Sequence, residues 1–144
     1  MDGHLKLENQ LCFALYTGAR TIVRKYKPFL DPLGLTYTQY IALLVLWERD
    51  GISIKDLGEQ LMLDSGTLTP LVKKLEKQGL LKRERGQSDE RYVSIVLTQE
   101  GRALKQKASD VPFQIAKSLH LDEAQGFELK QRLDQFILDN KDLD

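Results

Sequence analysis

Apolar positions along the chain fall into runs of two periods. From residue 5 to about 27 they recur every three or four residues, the spacing of a helix face. Leu11, Leu15, Ile22 and Val23 form one stripe, which Leu5 or Leu7 extends backwards, and Cys12, Tyr16, Ala19, Val23 and Tyr26 form a neighbouring one. Two stripes exceed what packing on one small domain requires, so this helix is expected to bury a face against another chain. Pro28 should end the helix or break it. Asp31-Pro32 and Gly34 mark a turn-rich connection. A second helix is expected over residues 37–49, with Thr36 as N-cap and Tyr40, Ile41, Leu43, Leu44 and Trp47 as a broad apolar face. Trp47 reads as core.

The middle of the chain has a different organisation. Ser53-x-x-Asp56 opens a short helix. Met62-Leu63 forms a turn, and Asp64 caps a helix that Gly79 is placed to end. An apolar-basic run follows, Leu80-Leu-Lys-Arg-Glu-Arg85, then a polar tip from Gly86 to Arg91, then the alternating run Tyr92-Val-Ser-Ile-Val-Leu97. Helix, turn, helix and charged hairpin in that order predict a winged helix-turn-helix. Beyond it, Thr98 caps a helix over residues 99–119 that Pro112 should kink or interrupt, and Asp122 caps a last helix ending near 139. The fold class is therefore mainly α with a small β wing. Residues 36–97 form the reader, while residues 1–35 and 98–144 supply helices of a dimer module, all within one domain.

A helix that reads bases in the major groove presents short hydrogen-bonding side chains at its N-terminal end. Ser65, Thr67 and Thr69 meet that need, and Lys73 and Lys74 can meet phosphate further along. The same residues suit an ordinary capped surface helix with cations at its C-terminal end; the preceding helix and the basic hairpin favour the DNA reading. In the hairpin, Arg83 and Arg85 are candidate phosphate contacts. At its tip Arg91 can enter a minor groove, with Asp89 orienting its guanidinium.

Composition sharpens this picture. The 144 residues carry 42% hydrophobic and 29% charged residues with no formal net charge, so no whole-protein field draws nucleic acid. The charge is instead local. Residues 73–91 hold seven bases (73, 74, 77, 82, 83, 85, 91) and four acids (76, 84, 89, 90), and residues 119–144 reverse the balance. A basic patch on a neutral protein suffices for phosphate contact. No apolar run reaches membrane-spanning length and no signal-peptide core is visible, so a cytoplasmic protein without a membrane partner is expected.

One cysteine excludes an internal disulfide. A reactive Cys12 needs hydrogen-bond donors or positive charge nearby. Tyr16 lies one turn on, and Tyr26 and Tyr37 are further candidates. Cys12 and Tyr26 stand fourteen residues apart, about 21 Å along one straight helix. They cannot meet within that helix, but they can between antiparallel helices of two subunits. A buried structural thiol is the commoner fate of a lone cysteine. His4 and His120 lack ligand-like companions, and no metal, phosphate-loop or hydrolase motif is present. Neither a cofactor nor a metal is expected.

These residues resemble the MarR family of dimeric winged helix-turn-helix repressors, through Asp89-Glu-Arg91 and Leu57-Gly-Glu-Gln-Leu…Leu75-Glu-Lys-Gln-Gly-Leu80. More narrowly, the chain is similar to the one-cysteine organic hydroperoxide resistance regulators (OhrR type). Lys6-Leu-Glu-Asn-Gln-Leu-Cys12-Phe, Tyr26-Lys-Pro28, Leu35-Thr-Tyr37-Thr-Gln-Tyr40 and Leu63-Asp-Ser-Gly-Thr-Leu-Thr-Pro70 carry that likeness. The resemblance implies a homodimer on double-stranded operator DNA, with Cys12 sensing organic hydroperoxide and the partner subunit's tyrosines 26 and 37 donating to its thiolate. Oxidation would give sulfenic acid, then a low-molecular-weight thiol adduct or a higher oxide, and the operator would be released. Two other readings stay open: a repressor of this fold released by a phenolic ligand bound between dimer module and reader, and a thiol peroxidase, which would consume peroxide in steady turnover.

Overall fold

The computed structural model describes residues 2–85 and 92–141. Its elements are α1 (Leu11–Leu30), α2 (Tyr37–Glu48), α3 (Ile54–Leu61), α4 (Ser65–Lys77), β1 (Leu81–Arg85), β2 (Val93–Leu97), α5 (Gln99–Lys107), α6 (Val111–Ser118) and α7 (Glu123–Asp139). Short 3-10 turns at Gly3–Leu5, Leu7–Asn9 and Asp31–Leu33 complete them. The architecture is mainly helical with one two-stranded antiparallel wing, the expected fold class. By internal contacts the chain forms two compact units, Met1–Val111 and Pro112–Asp144. Among the described residues, no single helix is long and apolar enough to cross a membrane.

The core of the first unit lies where α2, α3, α4 and the wing meet. Leu43 and Leu46 of α2, Leu57 of α3, Leu75 of α4 and Ile95 of β2 are completely buried. Side-chain caps start the helices that hold them. Thr36 and Gln39 exchange bonds in a full capping box, Ser53 accepts from the Asp56 N–H, and Thr98 accepts from the Gly101 N–H. In the second unit, Asp122 and Gln125 form another capping box for α7.

The first helix departs from expectation at both ends. It starts at Leu11, not Leu5, because side-chain amides hold the preceding backbone in tight turns. Asn9 donates to the Gly3 carbonyl at 2.7 Å, and Gln10 donates to the carbonyls of His4 and Lys6, each at 2.8 Å. Such local bonds compete with helix formation. Pro28 neither ends the helix nor breaks it. Proline removes one hydrogen bond of the ladder, but burial of Leu30 and packing of Phe29 against the core hold the last turn in place. Pro112 does interrupt the long helix foreseen after the wing. The break falls at residues 108–110, and the proline sits in the first turn of α6, where its missing N–H costs nothing.

Candidate nucleic-acid interface and thiol site

The helix expected to read DNA is α4. Leu68, Leu71, Val72 and Leu75 bury one side of it, at spacings of three, one and three. That stripe leaves Ser65, Thr67, Thr69, Lys73 and Lys74 exposed together with Lys77. Asp64 caps the helix by accepting from the Thr67 N–H at 2.8 Å. This bond, and a second from the Thr67 hydroxyl, hold the Asp64 carboxyl below its usual range. Thr67 is thus shared between the cap and the outer face. Gly79, at φ 77°, turns the chain out of the helix toward the wing.

In the wing, Leu81 pairs with Leu97, Arg83 with Ile95 and Arg85 with Val93. Alternation along β1 puts Arg83 and Arg85 on the face of buried Leu81 and Ile95, and Lys82 and Glu84 on the other. Lys82 and Glu84 pair there at 3.4 Å. Arg85 is exposed. Arg83 is occupied by Glu76 of α4, whose carboxylate its guanidinium reaches at 3.0 Å. Asp89 and Arg91, the expected minor-groove pair, lie outside the described residues.

The root of the wing carries bonds that sequence reading missed. The Asp50 carboxylate accepts from the N–H groups of Gly51 at 2.8 Å and Leu97 at 2.9 Å. Arg102 donates to the Leu97 carbonyl at 2.8 Å. Trp47, read as plain core, is half-buried and donates its indole N–H to the Gly101 carbonyl at 2.9 Å. These partners stand 47 to 54 residues apart, apart from the local Gly51 and Arg102 bonds.

The thiol end is laid out along α1. Cys12 is exposed and is the second residue of the helix. Gln10 makes no side-chain cap there, so an anion at this position faces the positive end of the helix dipole. Tyr16 is also exposed, with the Arg20 guanidinium 5.0 Å over its ring. At the other end of the helix, the Tyr26 ring lies 5.0 Å from Tyr37 and 5.7 Å from Tyr40. Burial, followed by the neighbouring phenols, raises the pKa of Tyr26; burial and Tyr37 raise that of Tyr40. The fold therefore gathers the two expected donors, adds Tyr40, and leaves Cys12 a helix length away from all three. A cavity of about 240 Å³ opens beside Tyr37, lined by Val23, Arg24, Lys27, Leu30 and Leu35 among others.

Two helices carry apolar side chains that the single chain leaves exposed. Leu11, Phe13, Ile22 and Val23 do so on α1, and Phe127, Leu129, Phe136, Ile137 and Leu138 on α7.

Comparison with known proteins gives consistent matches. The family described as transcriptional regulator SarA/Rot matches residues 24–108. The organic hydroperoxide resistance transcriptional regulator of Bacillus subtilis is 54% identical, over 89% of this chain and 85% of that protein. The regulator SarZ of Staphylococcus saprophyticus is 41% identical over 91% and 90% respectively. Among solved structures, reduced AbfR bound to DNA aligns with a TM-score of 0.72 at 40% identity, covering 93% of this chain and 96% of that one.

Proposed function

The chain belongs to the MarR-like family of winged helix-turn-helix transcriptional regulators, in its organic hydroperoxide resistance branch, and from that premise we propose a homodimeric operator-binding repressor that Cys12 oxidation switches off. The observation that carries the proposal is the placement of the phenols. Tyr26 and Tyr37 are packed together at the end of α1 opposite Cys12. A two-fold dimer with antiparallel first helices brings the phenols of one subunit to the sulfur of the other. The apolar faces on α1 and α7 are the surfaces such a dimer buries. The Tyr26 phenol is a donor across neutral pH, and burial moves its ionisation further from that range.

The chemistry follows from the thiolate. Its sulfur attacks the terminal oxygen of a hydroperoxide, the O–O bond breaks, and alkoxide leaves to take up a proton. Cys12 becomes sulfenic acid and the peroxide becomes an alcohol. A small thiol then displaces water to form a mixed disulfide. Added bulk among the phenols alters the dimer, and the two α4 helices lose the half-site spacing they need. In the bound form Ser65, Thr67 and Thr69 face bases, and Lys73, Lys74 and Arg85 meet phosphate. The relative AbfR has been solved reduced on DNA, overoxidized on DNA and with a disulfide formed, which supports a thiol that changes oxidation state in a protein of this kind.

The test is Cys12→Ser. The variant should keep dimerisation and operator affinity and lose release by organic hydroperoxide. Release at wild-type peroxide concentrations would refute the sensor role. The cavity beside Tyr37 favours one other reading, release by a small phenolic ligand. At about 240 Å³ it is smaller than most ligand pockets. Release of Cys12→Ser by such a compound would establish that route.

A further inference from the structure

We propose that the Glu76–Arg83 pair is a joint that sets the angle between reading helix and wing, making Arg83 a positioning residue for base reading and not a phosphate ligand. The inference rests on the DNA-binding reading above and deepens it.

Three donors converge on one carboxylate. The Arg83 backbone N–H and Nε both reach Glu76 Oε2 at 3.3 Å, and Nη2 reaches Oε1 at 3.0 Å. A guanidinium fork on both carboxylate oxygens fixes direction as well as distance. The added backbone bond ties the strand itself, not only its side chain. Both side chains are about two-thirds shielded, at 38% and 35% exposure.

The location explains why a joint is needed. Between the end of α4 at Lys77 and the start of β1 at Leu81 only three residues intervene, and Gly79 among them adopts a left-handed conformation. Backbone bonds seat the hairpin through β2, from the Gly51 N–H to the Ile95 carbonyl and from the Ile95 N–H to that of Ile52. The fork adds a direct tie from β1 to the last turn of α4. Glu76 also needs a partner for electrostatic reasons. It stands among Lys73, Lys74 and Lys77 on the helix that faces DNA, where a bare carboxylate would repel phosphate. Arg83 cancels that charge, with its guanidinium engaged on both oxygens of the Glu76 carboxylate.

Charge counting and geometry predict opposite results, which makes the proposal testable. The dimer would be measured against a duplex selected by the wild-type chain from a random pool, and against a random duplex of equal length, over a range of salt. Variants are Arg83→Gln, Arg83→Lys and Glu76→Gln, each checked by circular dichroism for native helix content. A joint predicts that all three lower the preference for the selected duplex by about tenfold, because lysine cannot form the fork. The salt slope should stay at its wild-type value for Arg83→Gln. Loss of a phosphate contact would instead flatten the slope by about 0.9 per subunit. That flattening, wild-type preference in Arg83→Lys, or tighter binding by Glu76→Gln would each overturn the joint. A wild-type chain that selects no duplex would overturn the repressor reading itself, and the joint with it.

Discussion

Replacing Gly101 with alanine should destabilise the protein, although alanine is the better helix former. Gly101 lies in the first turn of α5. A Cβ there would sit 2.0 Å from the Leu80 carbonyl oxygen and 3.0 Å from its carbon. Restoring ordinary contact requires a shift of about 1.4 Å, and the neighbour is backbone that cannot rotate away. The shift acts on a junction held by four bonds. Thr98 donates its N–H to the same Leu80 oxygen at 3.1 Å and its hydroxyl to Gly79 at 2.6 Å. It also caps Gly101 N–H at 3.0 Å, while Trp47 donates to the Gly101 carbonyl at 2.9 Å. Overpacking costs about 1–3 kcal/mol, a lost cap about 1 and the lost indole bond about 1. Helix propensity returns at most about 1 kcal/mol. The expected loss is about 2–4 kcal/mol. Urea unfolding followed by circular dichroism, at fixed protomer concentration, measures it. Gly66→Ala serves as the control, because its Cβ would meet only Asp64 Oδ1 at 3.6 Å. Unchanged or increased stability of Gly101→Ala would refute the close approach and leave propensity as the ruling effect.

Other outcomes follow from the same geometry. Trp47→Phe keeps an aromatic ring but removes the pyrrole ring with its donor, so it should cost about 1 kcal/mol for the lost bond and a further ~1 kcal/mol for lost packing, read in the same urea titration. Tyr26 has a raised pKa in the folded state, so its contribution is complete below pH 10 and is lost as pH rises through the folded value. Alkaline titration of stability should therefore fall less steeply in Tyr26→Phe than in the wild type. Asp64 has a lowered pKa, so its contribution is present above the unfolded value near 3.8 and disappears as pH falls through the folded one. Asp64→Asn should accordingly show a smaller acid loss of helix content, read by circular dichroism between pH 5 and 2.

What could be read from the residues depended on how far apart in the chain the deciding groups stand. Thr36 with Gln39, Ser53, Asp64, Thr98 and Asp122 each cap a helix from within three residues, so local chemistry sufficed to place those starts. The start of α1 was local too, yet it was misplaced. The apolar stripe runs on through Leu7 and Leu5, while the amides of Asn9 and Gln10 bind backbone and hold turns instead. That error hid the position of Cys12 in the first helical turn. Arg83 shows a different limit. Its fork on Glu76 joins the last turn of α4 to a strand, a pairing that counting the bases of the hairpin does not reveal. The bonds from Trp47 to Gly101 and from Asp50 to Leu97 join residues that no local pattern links.

The phenol cluster lies between these cases. Tyr26 and Tyr37 could be named singly, but their 5.0 Å approach depends on the chain reversing through the 3-10 turn Asp31–Leu33 and left-handed Gly34. Once that reversal is in place, α1 carries a sulfur at one end and a donor cluster at the other. The helix between them is a rigid spacer of about 21 Å from Cys12 to Tyr26. No rotamer change closes that distance within a chain. A redox function for Cys12 that uses these tyrosines therefore requires a second copy, and the apolar faces of α1 and α7, bare in one chain, are where that copy has surface to bury. The sensing chemistry and the pairing of subunits then stand or fall as one property.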